Sequence, residues 1–189
     1  MSLRESKKRG LEKITKEIER CPICKKGKSG KAVPGEGNPA AKIVFVGEAP
    51  GREEAKTGRP FVGRSGKLLR AIIKEIGISE NEVYITSPVK YLPVYGTPKK
   101  SDILHGKTHL LKQLDIIDPK IIVLLGNVAC QALLTAQVSV TKDHGNLITD
   151  DKRKYFITFH PAAALRFPKI RRAMTKDFQE LKNLINIKS

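Results

Sequence analysis

The sequence predicts an α/β fold, a three-layer α/β/α sandwich on a four-stranded parallel sheet, and three observations lead to it. Four short apolar runs recur along the chain, segments of helical pattern or loop separate them, and a glycine-rich block joins the first run to the helical pattern after it. In chain order, a helix is expected near Glu5 to Arg20, and Ile43-Val44-Phe45-Val46 has the composition of a short buried strand. The glycine block follows as a loop. It leads into a helix from Gly66 to Ile76, where Leu68, Leu69, Ile72, Ile73 and Ile76 recur at helical spacing and Ser65 is the expected N-cap. Val83 to Thr86, Ile121 to Leu125 and Tyr155 to Phe159 are the remaining strands, and Asp102 to Ile117, Val128 to Leu134 and Lys169 to Ile187 the remaining helices. Open parallel sheets bind ligands beyond the carboxyl ends of their strands, and those ends carry Glu48, Ser87, Gly126 and His160.

Length and composition set the frame. With 189 residues and 40% hydrophobic content, a single domain over residues 1–189 is expected. The 36 Lys and Arg against 19 Asp and Glu give a formal charge of +17, which favours a polyanionic partner. Charge alone does not separate a DNA-binding protein from a ribosomal or membrane-surface one. The first residues, Met1 to Lys8, are charged, and no apolar run has the length of a membrane span or the form of a signal peptide. A cytoplasmic protein without a membrane partner is therefore expected. The three cysteines, an odd number, argue against a disulfide framework and for a reducing compartment. Lys152 to Lys154 reads as solvated surface.

The block from Gly47 to Gly66 places carboxylates and one aromatic ring, Phe61, among five glycines, which let backbone approach a ligand closely. It is not a Walker loop, because no Gly-Lys-Ser/Thr follows at the right spacing, and it is not a Gly-x-Gly-x-x-Gly dinucleotide turn. Glu48-Ala49-Pro50-Gly51 with Gly58-Arg59-Pro60-Phe61-Val62-Gly63, joined by His160-Pro161-Ala162, resembles family 4 of the uracil-DNA glycosylase superfamily. The similarity runs from about Cys21 to about Arg166.

The resemblance implies an enzyme that binds DNA, turns a base out of the helix and hydrolyses its N-glycosidic bond. Such cleavage passes through a cation-like sugar and a departing base anion, so negative charge is needed near C1′ and a hydrogen-bond donor near the base oxygen. By resemblance, Glu48 orients the attacking water and stabilises the sugar cation, while His160 donates to uracil O2 and can do so neutral. Phe61 is the expected stacking platform for the extruded base, a contribution of about 1–3 kcal/mol, with ordinary core packing as the alternative. Glu54 either lines the water or base edge or is a surface acid. Ala163-Ala164-Leu165-Arg166 resembles the segment that enters the groove, where Leu165 fills the gap and Arg166 meets phosphate, unless Leu165 is a core leucine. Pro50, Gly51, Ser65 and Gly66 are expected to bring backbone to the phosphates, with Arg59, Arg64 and Lys67 supplying charge.

Two departures from the family pattern bear on chemistry. Thr86-Ser87-Pro88-Val89-Lys90 stands where the family reads Thr-Asn-Val-Val-Lys, so a serine replaces the amide that reads uracil, either contacting the base or ending the strand without a ligand. Family 4 members typically hold a [4Fe–4S] cluster on four cysteines, of which Cys21 and Cys24 are present, while Tyr91 and Gly106 stand at the other two positions. Cys130 is off the pattern and expected to be buried. His105 and His109, at i,i+4 spacing, share a helix face and with Cys21 and Cys24 would complete a tetrahedral zinc site, the alternative being a metal-free remnant.

The expected activity is removal of uracil from DNA in base excision repair. The alternatives are a glycosylase for another deaminated base such as hypoxanthine, a non-catalytic DNA-binding or damage-sensing homologue, and a basic RNA-binding structural protein. The expected partner is DNA carrying uracil or another damaged base, with a sliding clamp as a further candidate and a monomer as the expected state.

Overall fold

The computed structural model describes residues 2–135 and 137–186. Its elements are α1 (Leu3–Arg20), α2 (Pro22–Lys25), β1 (Lys28–Ser29), β2 (Glu36–Gly37), β3 (Ile43–Val46), α3 (Arg52–Thr57), α4 (Arg64–Glu75), a 3-10 turn at Glu80–Glu82, β4 (Val83–Thr86) and β5 (Leu92–Pro93). Then follow α5 (Lys100–Ile117), β6 (Ile121–Leu125), α6 (Asn127–Leu133), α7 (Val140–Asp143), β7 (Leu147–Thr149), β8 (Lys154–Thr158), α8 (Pro161–Arg166) and α9 (Pro168–Asn186). Three expected strands have the bounds read from sequence, and the fourth is shifted by one residue. Ile187, the expected end of the last helix, lies outside the described residues.

The main sheet has the order β2-β4-β3-β6-β8-β7. Its centre, β4-β3-β6-β8, is the expected parallel set. The expected four strands are corrected to six, because β2 pairs antiparallel with β4 and β7 antiparallel with β8. β2, Glu36-Gly37, has no apolar signature, and β7, Leu147-Ile148-Thr149, carries only two apolar residues, half-buried against the core. The central strands are buried, apart from half-buried Lys154 at the start of β8, because helices cover both faces and alternate side chains enter opposite layers. Val44, Val46, Tyr84, Ile122, Leu124 and Ile157 pack with α1, α5 and α6, while Phe45, Ile85, Val123, Leu125 and Phe156 pack with α4, α8 and α9. A third, small cluster of Ile14, Ile18, Cys24 and Tyr91 joins α1 to α2 and to the segment after β4.

Two local readings are corrected. Ser65 is not the N-cap of α4; Gly63 is, and Ser65 sits inside the first turn. The glycine block is not loop throughout, since Arg52–Thr57 forms α3 between Gly51 as N-cap and Gly58, whose φ of 78° ends the helix in the left-handed region. Acidic Glu53 and Glu54 in its first turn suit the positive end of the helix.

Candidate base-excision site and metal cluster

A cavity of about 430 Å³ opens at the carboxyl ends of the central strands, lined by Glu48, Ala49, Pro50, Gly51, Glu54, Pro60, Phe61, Ser65, Ser87, His160, Ala162 and Arg166 together with Val33, Leu92 and Gly96. Nine residues singled out from sequence meet there: Glu48, Pro50, Gly51, Glu54, Phe61, Ser65, Ser87, His160 and Arg166. Val33, Leu92 and Gly96 were not foreseen, because Val33 and Gly96 come from connections with no motif and Leu92 from the two-residue β5.

Phe61 is held by features that sequence reading did not identify. Its backbone has φ of 51°, left-handed and unusual for an aromatic residue. Arg70 on α4 secures this conformation, its Nε donating to the Phe61 carbonyl at 3.1 Å and its guanidinium to the Pro60 carbonyl at 3.1 Å. Gly47 makes room for the ring: a Cβ there would lie 2.6 Å from Phe61 Cζ. Gly66 lets α4 pass beneath, since a Cβ there would meet the Phe61 carbonyl oxygen at 2.1 Å. The ring is 6.0 Å from the His160 ring, centroid to centroid. Phe61 also touches the core under α4, so its cavity and core readings both describe it.

Glu54 is buried, not a surface acid. Its Oε1 accepts from the Val62 and Gly63 amides, both at 2.8 Å, and so caps α4 from a distance of eight and nine residues in sequence. Arg59 is outside the cavity lining and pairs with Glu36 through Nε at 2.8 Å and a second nitrogen at 3.0 Å. The same Glu36 binds Arg70, and the two guanidiniums hold its carboxyl below the usual range against the opposing effect of burial. Arg64 and Lys67 are exposed at the start of α4.

Glu48 has no hydrogen-bonding or ionic partner among the described residues, and burial raises its pKa above the ordinary carboxylate value. His160 caps α8: its Nδ1 accepts the Ala162 amide at 3.2 Å. Burial lowers its pKa to about 4. The ring is therefore neutral at pH 7 and carries its proton on Nε2. Ser87 Oγ donates to the Val89 carbonyl at 2.8 Å, which leaves its lone pairs as what it can offer a ligand. Behind it, the buried Lys90 ammonium binds Thr86 Oγ1, Gln113 Oε1 and the Pro34 carbonyl at 2.8, 2.7 and 3.0 Å, fixing the end of β4. Leu165 is 39% exposed at the end of α8, next to the still more exposed Phe167, which settles the core alternative against burial.

Away from the cavity, Cys21, Cys24, His105 and His109 form a group that could hold a metal ion, with donor atoms all within 4.8 Å of one another. Cys21 Sγ lies 3.1 Å from His105 Nε2. Both ring nitrogens of buried His109 lack a hydrogen-bond partner, a costly state for polar atoms out of water. Burial and Cys21 push the Cys24 thiol up to about 12. This set does not fit the four-cysteine cluster that the sequence resemblance implies. Two donors are imidazoles, Tyr91 and Gly106 offer no thiolate, and Cys130 is buried in the core on another element. One tetrahedral ion with bonds of about 2.0–2.3 Å spaces its ligand atoms roughly 3.3–3.8 Å apart, a spacing between the 3.1 Å of Cys21 to His105 and the 4.8 Å that bounds the whole group. No helix of the described residues is long and apolar enough to cross a membrane.

Comparison with known proteins places these features in context. A model of the uracil DNA glycosylase superfamily matches residues 34–182. The chain is 43% identical over 185 residues to a type-4 uracil-DNA glycosylase of Sulfurisphaera tokodaii, covering 92% of this chain and 84% of that one. It is 40% identical to a type-4 uracil-DNA glycosylase of Saccharolobus solfataricus (94% and 88% covered) and 39% identical to one of Thermotoga maritima (93% and 94% covered).

Proposed function

The chain belongs to the uracil DNA glycosylase superfamily, and from that premise we propose that it removes uracil from DNA by hydrolysing the N-glycosidic bond, the first step of base excision repair. The observation that carries this reading is the convergence of Glu48, Phe61, Ser87 and His160 on one cavity at the ends of parallel strands. The extruded base stacks on Phe61. As the bond from C1′ to N1 lengthens, its electron pair leaves with the base, and charge collecting on O2 is met by the Nε2–H of neutral His160. Glu48, ionised, stabilises the cationic sugar and orients the water that adds to C1′, taking its proton. A raised pKa makes Glu48 a stronger base than an ordinary carboxylate.

Ser87, with its own proton donated to Val89, accepts from the base. Uracil N3–H supplies that donor and cytosine N3 does not, but the neighbouring N4 amino group of cytosine can donate instead, so the hydroxyl rejects cytosine less sharply than the amide it replaces. Hypoxanthine carries a like N–H beside a carbonyl, so it stands as the second substrate. Glu54, through the oxygen not bound to the α4 amides, lines the same pocket. Pro50, Gly51, Ser65 and Arg166 rim the cavity where phosphates would pass, Arg64 and Lys67 add charge at the start of α4, and Leu165 enters the vacated stack. Arg59 reaches phosphate only by exchanging Glu36. For the cofactor, the proposal is one structural zinc ion on Cys21, Cys24, His105 and His109, whose binding would ionise the two thiols. The protein is proposed to act as a cytoplasmic monomer on DNA.

Alkali-revealed cleavage of matched oligonucleotides carrying uracil, hypoxanthine or normal bases tests the function. Cleavage at uracil, abolished by Glu48→Ala and His160→Ala while DNA binding persists, is expected. Binding of DNA without cleavage of any substrate would overturn the catalytic reading.

A further inference from the structure

We propose that the segment Leu92–Pro98 is a second DNA-contacting jaw, and that Tyr95 at its tip stacks on a base next to the extruded nucleotide, on the side of the cavity away from Leu165. The inference rests on the proposed function and adds a contact to it. Tyr95 is 86% exposed and its neighbour Val94 58%, a pairing of apolar side chains in water that a soluble protein does not need for its core. The position is what gives the exposure meaning. Leu92 and Gly96, on either side of the tip, line the base cavity itself. The segment leaves the end of β4, whereas Leu165 and Phe167 leave the end of β8, and β3 and β6 lie between. At a strand spacing of about 4.8 Å, the ends of β4 and β8 from which the two segments depart stand roughly 14 Å apart, on either side of the strands that carry Glu48 and Gly126.

The jaw is braced before DNA arrives. β5 within it pairs with β1, the Val94 amide donates to the Gly27 carbonyl at 3.2 Å, and Gly96, at φ of 82°, turns the chain back with its amide on Pro93. Lys28 of β1 in turn binds Asp102 at the start of α5 at 2.6 Å, so both ends of the segment are tied to one frame. Lys99 and Lys100 follow the tip and are exposed, which suits a path beside phosphates. A rigid, exposed ring beside a base pocket and near positive charge fits the stacking of a nucleobase, which is tolerant of sequence.

The test uses the whole protein and a short duplex containing one uncleavable 2′-fluoro-deoxyuridine, with the fluorescent base 2-aminopurine beside it on either side in turn. Tyr95→Ala is expected to weaken equilibrium binding about tenfold and to remove the quenching of 2-aminopurine on one side only. Tyr95→Phe should keep both, since stacking needs the ring and not the hydroxyl. Wild-type affinity and quenching in Tyr95→Ala would overturn the proposal, as would equal losses in Tyr95→Ala and Tyr95→Phe. Because the readouts are binding and quenching, they stand apart from the cleavage assay: a wild-type protein that binds and quenches without cutting uracil counts against the catalytic reading alone.

Discussion

The base cavity and the Cys–His cluster differ in what their polar groups lack. In the cavity nearly every supporting group has its partner: Glu54 holds two amides, Arg70 holds the carbonyls around Phe61, His160 Nδ1 holds Ala162, and Ser87 holds Val89. Glu48 stands without one, and its position at the cavity wall makes it the group left for chemistry. In the cluster the supports are missing. His109 has two buried nitrogens without partners, and four donors face one another. In the proposed function the first region awaits a substrate, whereas an ion would complete the second. The proposal thus assigns turnover to one and holding the frame together to the other.

The largest effect that separates the two regions is expected from Glu48→Gln, which keeps the shape and removes the charge. Single-turnover cleavage of uracil-containing DNA should fall by roughly 10²–10⁴, as for loss of a general base, with duplex affinity retained. Stripping the metal should leave that rate, measured well below the melting temperature, nearly unchanged. A chelated protein as inactive as Glu48→Gln would break the division of labour drawn here.

Next in size is Arg70→Ala, which acts on Phe61 from behind. Freed from its clamp, the left-handed residue relaxes and the platform shifts, at a cost of roughly 10²-fold in rate if the displacement approaches 1 Å. The same substitution also releases Glu36 and should lower the melting temperature, so the check is the rate in protein still folded by circular dichroism.

A smaller and more diagnostic effect is expected at His109. In chelated protein, His109→Leu removes two unsatisfied nitrogens and should be neutral or stabilising by about 1–3 kcal/mol in urea unfolding. In protein loaded with zinc it should destabilise. Elemental analysis of untagged protein should find stoichiometric zinc and no iron; finding neither would leave the cluster a metal-free remnant.

The smallest effect concerns pH. The proposed mechanism needs ionised Glu48, so the rate should decline with acidity at a pH above the ordinary carboxylate value. His160 should not add to that decline until about pH 4, where it is finally protonated. Its effect on stability has the opposite sense from a salt-bridged histidine. The folded value of about 4 lies below the ordinary 6.5, so the unfolded chain binds the proton first. The contribution is intact above pH 6.5 and is lost as pH falls through that value toward 4. Melting curves of wild type and His160→Asn should converge in relative terms on acidification; parallel curves would mean that His160 is not buried as a neutral ring.

The central strands were legible because a strand covered on both faces is apolar nearly throughout, as Ile43–Val46 and Ile121–Leu125 are at every position and Val83–Thr86 is up to its last residue, where Thr86 is buried with hydrogen bonds. The edge strands were not, because Glu36-Gly37 pairs through its backbone and leaves no side-chain pattern. The residues of the site could be read from their words in the sequence, but not what holds them. Arg59 was expected on phosphate, and its partner Glu36 lies 23 residues upstream, a pairing that only the fold creates. Glu54 looked like a surface acid or a base contact, and no local pattern announces a cap that acts across the turn at Phe61. The Gly51 to Gly58 interval with acids in its first turn did carry a helix signal, hidden by the expectation that glycines mean loop.

Gly106 closes the cluster to a further ligand. It stands where the sequence resemblance aligns a cluster cysteine, and a Cβ at that position would meet the Pro88 carbonyl oxygen at 2.1 Å and its carbon at 2.8 Å. Helix α5 has thus settled against the Ser87-Pro88 backbone at a distance that admits no side chain. Restoring cysteine at 106, even together with Tyr91→Cys, would wedge the helix from the segment that carries Ser87. A thiolate at 106 therefore cannot be added to this chain by one substitution: the close approach acts as a ratchet that holds the site to the donors present.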